Sequence, residues 1–458
     1  MRKLYFVVVC VSALLSVPIM GECQLTRTQA KVAMQAYNNV FYNQYGTYGS
    51  SYKAMYYDNT YRNSRASFWR EVEQIETLID AYYINNDADF KNKIQYLYNG
   101  IRDGYGLTWS NNPFNDDVIW GALMCIRAFA IHNDGGMKDM AINNFNIVWN
   151  RAWDNSLGGG LWWKTDKKSK NACVNAPAAL CAMYLYYATG DVSYRNKAKQ
   201  IMDWMKSHLY DAGSGEVKGA MNTAGVITEG SRTYTQGVFI GAAGEMQKYY
   251  AGENWKAVGQ KAMDFAKNVM SNNGGLLPDE YCGVDDCPGF KSIFARWACK
   301  FAKDQNLVSS YSAWLNYNAN QAWNNRNSSG LIWAQFGRRT SDAYLNSWET
   351  SSGVSMVTNV FLYAGSSVRE SSEEELTIPV EITNAVSVYP NPAEKRIRID
   401  YSDDSSEGHM QILNSTGSVV QEAKLTTGEY DIAALPAGVY IMVIRKNGTQ
   451  TNKRFVKK

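Results

Sequence analysis

The chain has 458 residues, enough for one large core plus a small appended domain, and its 45% hydrophobic and 19% charged residues are an ordinary globular balance. A net charge of +3 gives no electrostatic case for nucleic acid or an anionic membrane as a partner. Three histidines only, His132, His208 and His409, lie far apart without ligand spacing, which argues against a Ser-His-Asp triad and a His-rich zinc site. No nucleotide-binding glycine loop or serine elbow occurs either, so hydrolytic chemistry must lean on carboxylates.

Residues 1–23 read as a signal peptide: Arg2 and Lys3 precede an apolar run from Leu4 to Val17, followed by Pro18 and Gly21-Glu22-Cys23. The run is too short and too N-terminal for a membrane anchor, so the mature chain is expected to carry no transmembrane segment. Export would open Cys125, Cys173, Cys181, Cys282, Cys287 and Cys299 to oxidation. Cys282 and Cys287 bracket a short loop and are the best candidates for a bridge, although pairing does not follow from sequence.

Between residues 24 and 364 the helical period recurs about twelve times, near 27–43, 66–84, 88–102, 117–132, 138–151, 172–188, 193–208, 233–250, 254–271, 290–303, 308–325 and 350–363. Short links follow the even-numbered segments, as at Asn85-Asn86-Asp87 and Thr189-Gly190-Asp191, and long loops precede them. That alternation puts every long loop at one end of a stack of antiparallel hairpins. Six hairpins closing on themselves make an all-α (α/α)6 toroid with one loop-lined face; an open helical solenoid shows similar periods and is the alternative. Residues 365–376 read as a polar, acidic linker, and 377–458 as a small all-β, sandwich-like domain of short strands.

The stretch Asn115-Asp116-Asp117-Val118-Ile119-Trp120-Gly121 sets two carboxylates where a loop becomes an apolar helix. Glycosidic hydrolysis needs a proton donor for the leaving oxygen and a second carboxylate for the opposite face of the sugar, about 5–5.5 Å away for retention and further for inversion. The bland reading is a helix N-cap, for which Asn or Asp before an apolar run is the usual signature. Asp285-Asp286, in a long loop between Cys282 and Cys287, competes for the role, whereas Asp403-Asp404 reads as a solvated turn. Aromatics support a carbohydrate ligand: 31 Tyr and 14 Trp occur, many in Gly- and Asn-rich loops, and their flat faces suit stacking on sugar rings.

The Asp116-Asp117 stretch resembles the Asp-Asp motif of glycoside hydrolase family 76, the endo-α-1,6-mannanases. Similar stretches follow in the family's order: Phe68-Trp69, Gly158-Gly159-Gly160-Leu161-Trp162-Trp163, Lys170-Asn171-Ala172 with Asn175, Tyr234-Thr235-Gln236-Gly237, and Phe290-Lys291-Ser292 through Arg296. Val118-Ile119 and Pro177 depart from the family pattern. The resemblance implies an (α/α)6 toroid and hydrolysis of an α-mannan backbone by retention, with Asp116 as nucleophile and Asp117 as general acid and base. Trp162, Trp163, Asn171, Tyr234, Gln236, Lys291 and Trp348 are the expected substrate contacts, with core packing or loop anchoring as the competing reading for each. No cofactor or metal is expected, and the chain is expected to be a monomer. The tail, with Val388-Tyr389-Pro390-Asn391-Pro392 and Leu435-Pro436-Ala437-Gly438-Val439-Tyr440, resembles the type A sorting domain of the type IX secretion system, which implies that machinery as a partner and a secreted or cell-surface product. The rivals are another carboxylate glycosidase, a transglycosylase or a lyase on the same toroid, and a non-catalytic surface glycan-binding protein.

Overall fold

The computed structural model describes residues 24–272, 274–282, 286–364, 387–389, 392–400, 408–414, 418–425, 428–446 and 449–458. The expected signal peptide and linker, Asp285 and Asp403-Asp404 lie outside the described residues.

Twelve α-helices follow one another in the first part of the described chain: α1 (Arg27–Phe41), α2 (Phe68–Tyr82), α3 (Ala88–Tyr105), α4 (Asn115–His132), α5 (Gly135–Ala152), α6 (Ala172–Thr189), α7 (Val192–His208), α8 (Thr233–Tyr249), α9 (Trp255–Phe265), α10 (Phe290–Asp304), α11 (Val308–Asn324) and α12 (Ser347–Asn359). Each even helix packs on the next even helix, and α12 packs back on α2, so the inner ring is closed and the open solenoid is ruled out. The inner helices are buried nearly all round. Every residue of α2 from Glu71 to Ala81 is buried, whereas the outer helix α7 buries one stripe, Tyr194, Ala198, Ile201, Met202 and Met205 among it. All six inner helices begin at the same face, where the long connections gather.

Two small sheets belong to those connections and were not legible as strands. One is a hairpin of β1 (Tyr42–Tyr48) and β2 (Ser51–Tyr56); the other joins β3 (Ser169–Asn171), β4 (Ala220–Asn222) and β5 (Ile227–Glu229) in the order β3-β4-β5. Three-residue strands that pair across 50 residues of sequence leave no alternation to read.

Along the ring's axis a charged cluster is fully buried. Arg296 on α10 donates to Glu73 at 2.7 Å and Asp80 at 2.8 Å, and Arg127 on α4 donates to Asp80 at 2.6 Å and to Glu76. Asn359 at the end of α12 adds a bond to Asp80 at 3.1 Å, so one cluster ties four inner helices together. Burial pushes the Glu73 carboxyl up to about 7 against the pull of Arg296, and burial raises Glu76 too. Burial also works against Asp80, but Arg296 and Arg127 outweigh it and hold that carboxyl below its ordinary value. Three carboxylates thus face two guanidinium groups, and a proton on the Glu73/Glu76 pair leaves the cluster neutral.

The C-terminal part has its own hydrophobic core, including Ile397, Ile399, Met410, Ile412, Met442, Ile444 and Phe455. Strands β6 (Ser387–Tyr389), β7 (Arg396–Asp400) and β10 (Gly428–Asp431) form one antiparallel sheet, and β8 (Gly408–Leu413), β9 (Val419–Leu425), β11 (Gly438–Lys446) and β12 (Thr449–Lys457) form the other. Alternate residues of β8 and β11 point into this core, the pattern expected of a two-sheet domain.

Candidate active site

Helix α4 enters the loop-lined face without a side-chain cap. Its N-cap is Phe114, and Asn115, Asp116 and Asp117 are the first three helical residues. The capping reading of this stretch therefore fails. Asn115 is buried and acts as an anchor: its amide donates to the Trp162 carbonyl at 2.8 Å and its oxygen accepts from Arg151 Nε at 2.6 Å. One turn deeper, a Cβ on Gly121 would stand 2.5 Å from the Trp109 ring and 2.9 Å from Phe68, so glycine lets the helix lie flush against that wall.

The two carboxylates have different surroundings. Asp116 Oδ2 accepts the Trp163 indole N–H at 2.9 Å. Burial raises the Asp116 carboxyl to about 6, opposed by the Cys173 thiol, the Trp163 indole and the backbone N–H groups of the helix start. Asp117 Oδ2 accepts the Asn112 side-chain amide at 3.0 Å. Burial, then the charge of Asp116, raises the Asp117 carboxyl to about 7, with Asn112 opposing. The pair titrates as a unit, and the proton is held more firmly on the Asp117 side.

Asp286 belongs to this face as well. Its carboxylate takes Arg70 Nη2 at 2.8 Å and Nε at 3.2 Å, and its charge adds to the rise at Asp117. The Cys282–Cys287 disulfide closes the loop that carries it. The second Asp motif of the sequence therefore comes, through Asp286, within electrostatic reach of Asp117.

The expected sugar contacts divide. Trp163 and Tyr234 lie beside the pair: Trp163 is half-buried and bonded to Asp116, and Tyr234 packs on Phe290 with ring centroids 4.4 Å apart. Burial raises the Tyr234 phenol, and Asp116 contributes. Asn171 is 5% exposed, and its Oδ1 is buried without a hydrogen-bond partner. Trp162 is 5% exposed, donates to Asp154 at 2.6 Å and lies under the Lys170 ammonium, so its faces are spent on packing. Gln236 is fully buried and saturated by backbone: it accepts from Val217 N–H at 2.5 Å and donates to the Gly215 and Ala262 carbonyls. Lys291 is buried against Phe336 and Asp279. Trp348 is buried under Gly289, donates to the Asp286 carbonyl at 2.8 Å and props the disulfide loop from beneath. The stacking or hydroxyl-binding role expected of Trp162, Gln236 and Trp348 does not fit these positions; loop anchoring does. Sequence reasoning missed Asn112, Arg151, Cys173 and Arg70, which touch the carboxylates or the loops that hold them. Only Asn112, in the irregular 109–114 loop, carried a signal, because Asn before Pro marks a turn.

A closed six-hairpin helical ring with paired, unequal carboxylates on its loop face is the arrangement of a carbohydrate-cleaving enzyme. The model of glycosyl hydrolase family 76 matches residues 26–372, and the chain belongs to that family. It is a glycoside hydrolase of the endo-α-1,6-mannanase kind. Among its relatives is the mannan endo-1,6-alpha-mannosidase DFG5 of Saccharomyces cerevisiae, 24% identical over 338 residues that cover 65% of this chain and 71% of the relative. Among solved structures, the GH76A alpha-1,6-mannanase of Salegentibacter sp. HEL1_6 is 25% identical with a TM-score of 0.65, covering 74% of this chain and 99% of the other. An inactive variant of that mannanase, with two consecutive aspartates changed to alanine, is solved with alpha-1,6-mannotetrose; it is 24% identical, with the same TM-score and coverage. The secretion system C-terminal sorting domain matches residues 387–458 and marks the product for export to the cell surface or the medium. No helix among the described residues is long and apolar enough to cross a membrane.

Proposed function

We propose that the chain cleaves α-1,6-mannosidic bonds within mannan backbones by a retaining double displacement, with Asp116 as nucleophile and Asp117 as general acid and base. The observation that carries the reading is the difference between the carboxyl environments. Asp116 is met by an indole N–H and by the free N–H groups of an uncapped helix, which favour the ionised form an attacking oxygen needs. Asp117, beside that charge and largely desolvated, keeps its proton towards neutrality. In the first step Asp116 would bond to the anomeric carbon as Asp117 gives its proton to the leaving oxygen. In the second, Asp117 would take a proton from water, whose oxygen displaces Asp116 and restores the α-anomer. The mannanase with two consecutive aspartates replaced is inactive, which supports an aspartate pair as the reacting groups and leaves their division of roles to the carboxyl environments.

The test is chemical rescue with an activated aryl α-mannoside. Asp117→Asn should form the glycosyl-enzyme and stall, and added azide should release α-mannosyl azide. Asp116→Asn should give the β-azide by single displacement. Reversed anomers exchange the two roles, and full activity of either variant on mannan removes that residue from the mechanism. Product sizing on unbranched α-1,6-mannan separates the rivals: hydrolysis adds water, a lyase leaves a double bond, and transfer lengthens chains.

A further inference from the structure

The Asn112 side chain is committed at both ends. Its Oδ1 accepts the Phe114 N–H at 2.9 Å, an Asx turn, and its Nδ2 donates to Asp117 Oδ2 at 3.0 Å. The backbone donor at Phe114 can pair only with the amide oxygen, so the amide orientation follows from the turn and its NH2 group must face Asp117. The turn itself is clamped from the outer ring. Arg151 near the end of α5 gives Nη2 to the Asn112 carbonyl at 2.8 Å, Nη1 to the Ser110 carbonyl at 2.7 Å and Nε to Asn115 Oδ1 at 2.6 Å. One guanidinium thus holds both the loop that carries Asn112 and the helix start that carries Asp117. Among the described residues, Asn112 is the only side chain donating a hydrogen bond to Asp117.

We infer that Asn112, clamped by Arg151, is the positioning residue of the general acid: it fixes which carboxyl oxygen of Asp117 carries the proton and lowers that oxygen pair's proton affinity. The inference rests on Asp117 being the acid. An N–H directed at Oδ2 occupies that oxygen as an acceptor, so the proton resides on Oδ1 and leaves from there to the glycosidic oxygen. The carboxylate formed in that step keeps the Asn112 bond and is stabilised by it, and the same bond is present when the carboxylate takes a proton from water. Asn112 therefore makes Asp117 a stronger acid than burial beside Asp116 would leave it.

Asn112→Asp separates this role from a merely structural one. The new carboxylate can still accept the Phe114 N–H and preserve the turn, but it offers Asp117 a charge in place of a donor. The expected result is an unchanged melting temperature and an alkaline limb of kcat/KM on α-1,6-mannan displaced upward by at least about half a pH unit. A kcat loss of at least about tenfold on mannan should shrink to under about threefold on an activated aryl mannoside, which needs little protonation. Asn112→Ala, without the charge, should move the limb in the same direction by less. An unmoved limb in both variants, or equal losses on both substrates, overturns the inference. Asp117→Asn run alongside keeps the two readings apart: if it retains the wild-type limb, the assignment of the acid fails, and if it abolishes the limb while Asn112→Asp leaves it in place, only the role of Asn112 fails.

Discussion

Arg296→Met tests the axial charge cluster. Methionine keeps much of the aliphatic volume and removes the guanidinium that donates to Glu73 at 2.7 Å, to Asp80 at 2.8 Å and, more weakly, to the Glu73 carbonyl at 3.4 Å. Asp80 retains Arg127 at 2.6 Å and Asn359 at 3.1 Å, so the exposed debt falls on Glu73, which is left buried without its cation. Breaking one side of a buried ion pair costs about 3–5 kcal/mol. Glu73 can escape part of that cost by taking a proton. Its folded pKa, already raised to about 7, lies above the unfolded value, so stability tied to it is fully present below the unfolded value and is lost as pH rises through about 7. Removing Arg296 enlarges that rise. The variant should therefore lose about 3–5 kcal/mol at pH 8 and at least about 1.4 kcal/mol less at pH 5.5, one pK unit of linkage. Urea denaturation of the catalytic domain at both pH values measures this, and Arg296→Met with Glu73→Gln should recover much of the loss at pH 8. A loss under about 1 kcal/mol at pH 8, the same loss at both pH values, or no recovery in the double variant refutes the argument.

Two further outcomes follow from packing. Trp162→Ala should cost about 3–5 kcal/mol of stability through the lost core volume and the unpaired Asp154 bond, whereas Trp163→Phe should leave the melting temperature close to wild type and lower kcat by taking the donor from Asp116; matching stability losses in the two would show that both are core. Deleting residues from 377 onward should leave a folded mannanase, because the tail's hydrophobic core is separate from that of the ring, and should strand the enzyme in the periplasm of its host; surface delivery of the truncated chain would contradict the sorting role.

What the sequence disclosed tracks how local each signal is. The twelve helices follow from periodicity, and most of their ends fall within a few residues of the expected ones; α12 begins three residues early at Ser347, and α9 ends at Phe265, six residues before the expected 271, where the chain passes into a π-helical turn over Ala266–Met270. Alternating link lengths disclose the loop face. Closure of the ring does not: it depends on α12 meeting α2 across 265 or more residues, and on a polar helix, with Glu71, Glu73, Glu76 and Asp80, being buried throughout. Glu73, Glu76 and Asp80 are matched by Arg127 and Arg296 from other helices, and Glu71 by Arg65 at 2.7 Å, and none of these partners is adjacent in sequence. Near the carboxylates the same holds. A Gly-Gly-Gly-Leu-Trp-Trp run says that aromatics stand in a tight turn but not which indole faces Asp116 and which Asp154. Gln236 reads as a hydroxyl-binding residue because its saturation by Val217 and Gly215 of the loop and Ala262 of α9 exists only in the folded chain.

The missing cap of α4 connects these observations. A Ser, Thr, Asn or Asp at the Phe114 position could cap the helix and add about 1 kcal/mol of stability, yet a capping side chain would accept the first-turn N–H groups. Those groups would then be lost to the carboxylate that uses them, Asp116. The loop instead is secured from outside the helix. Asn115 ties the first turn to the Trp162 carbonyl, Arg151 ties Asn115 to Ser110 and Asn112, and the Trp163 carbonyl receives the Asn115 N–H at 2.9 Å. Each bond holds the helix start without consuming the N–H groups of Asp116 and Asp117. The absence of a cap at α4 therefore has a physical consequence: the N–H groups that a cap would take stay available to the half-buried Asp116 carboxylate, and the helix start is held by bonds from the outer ring instead.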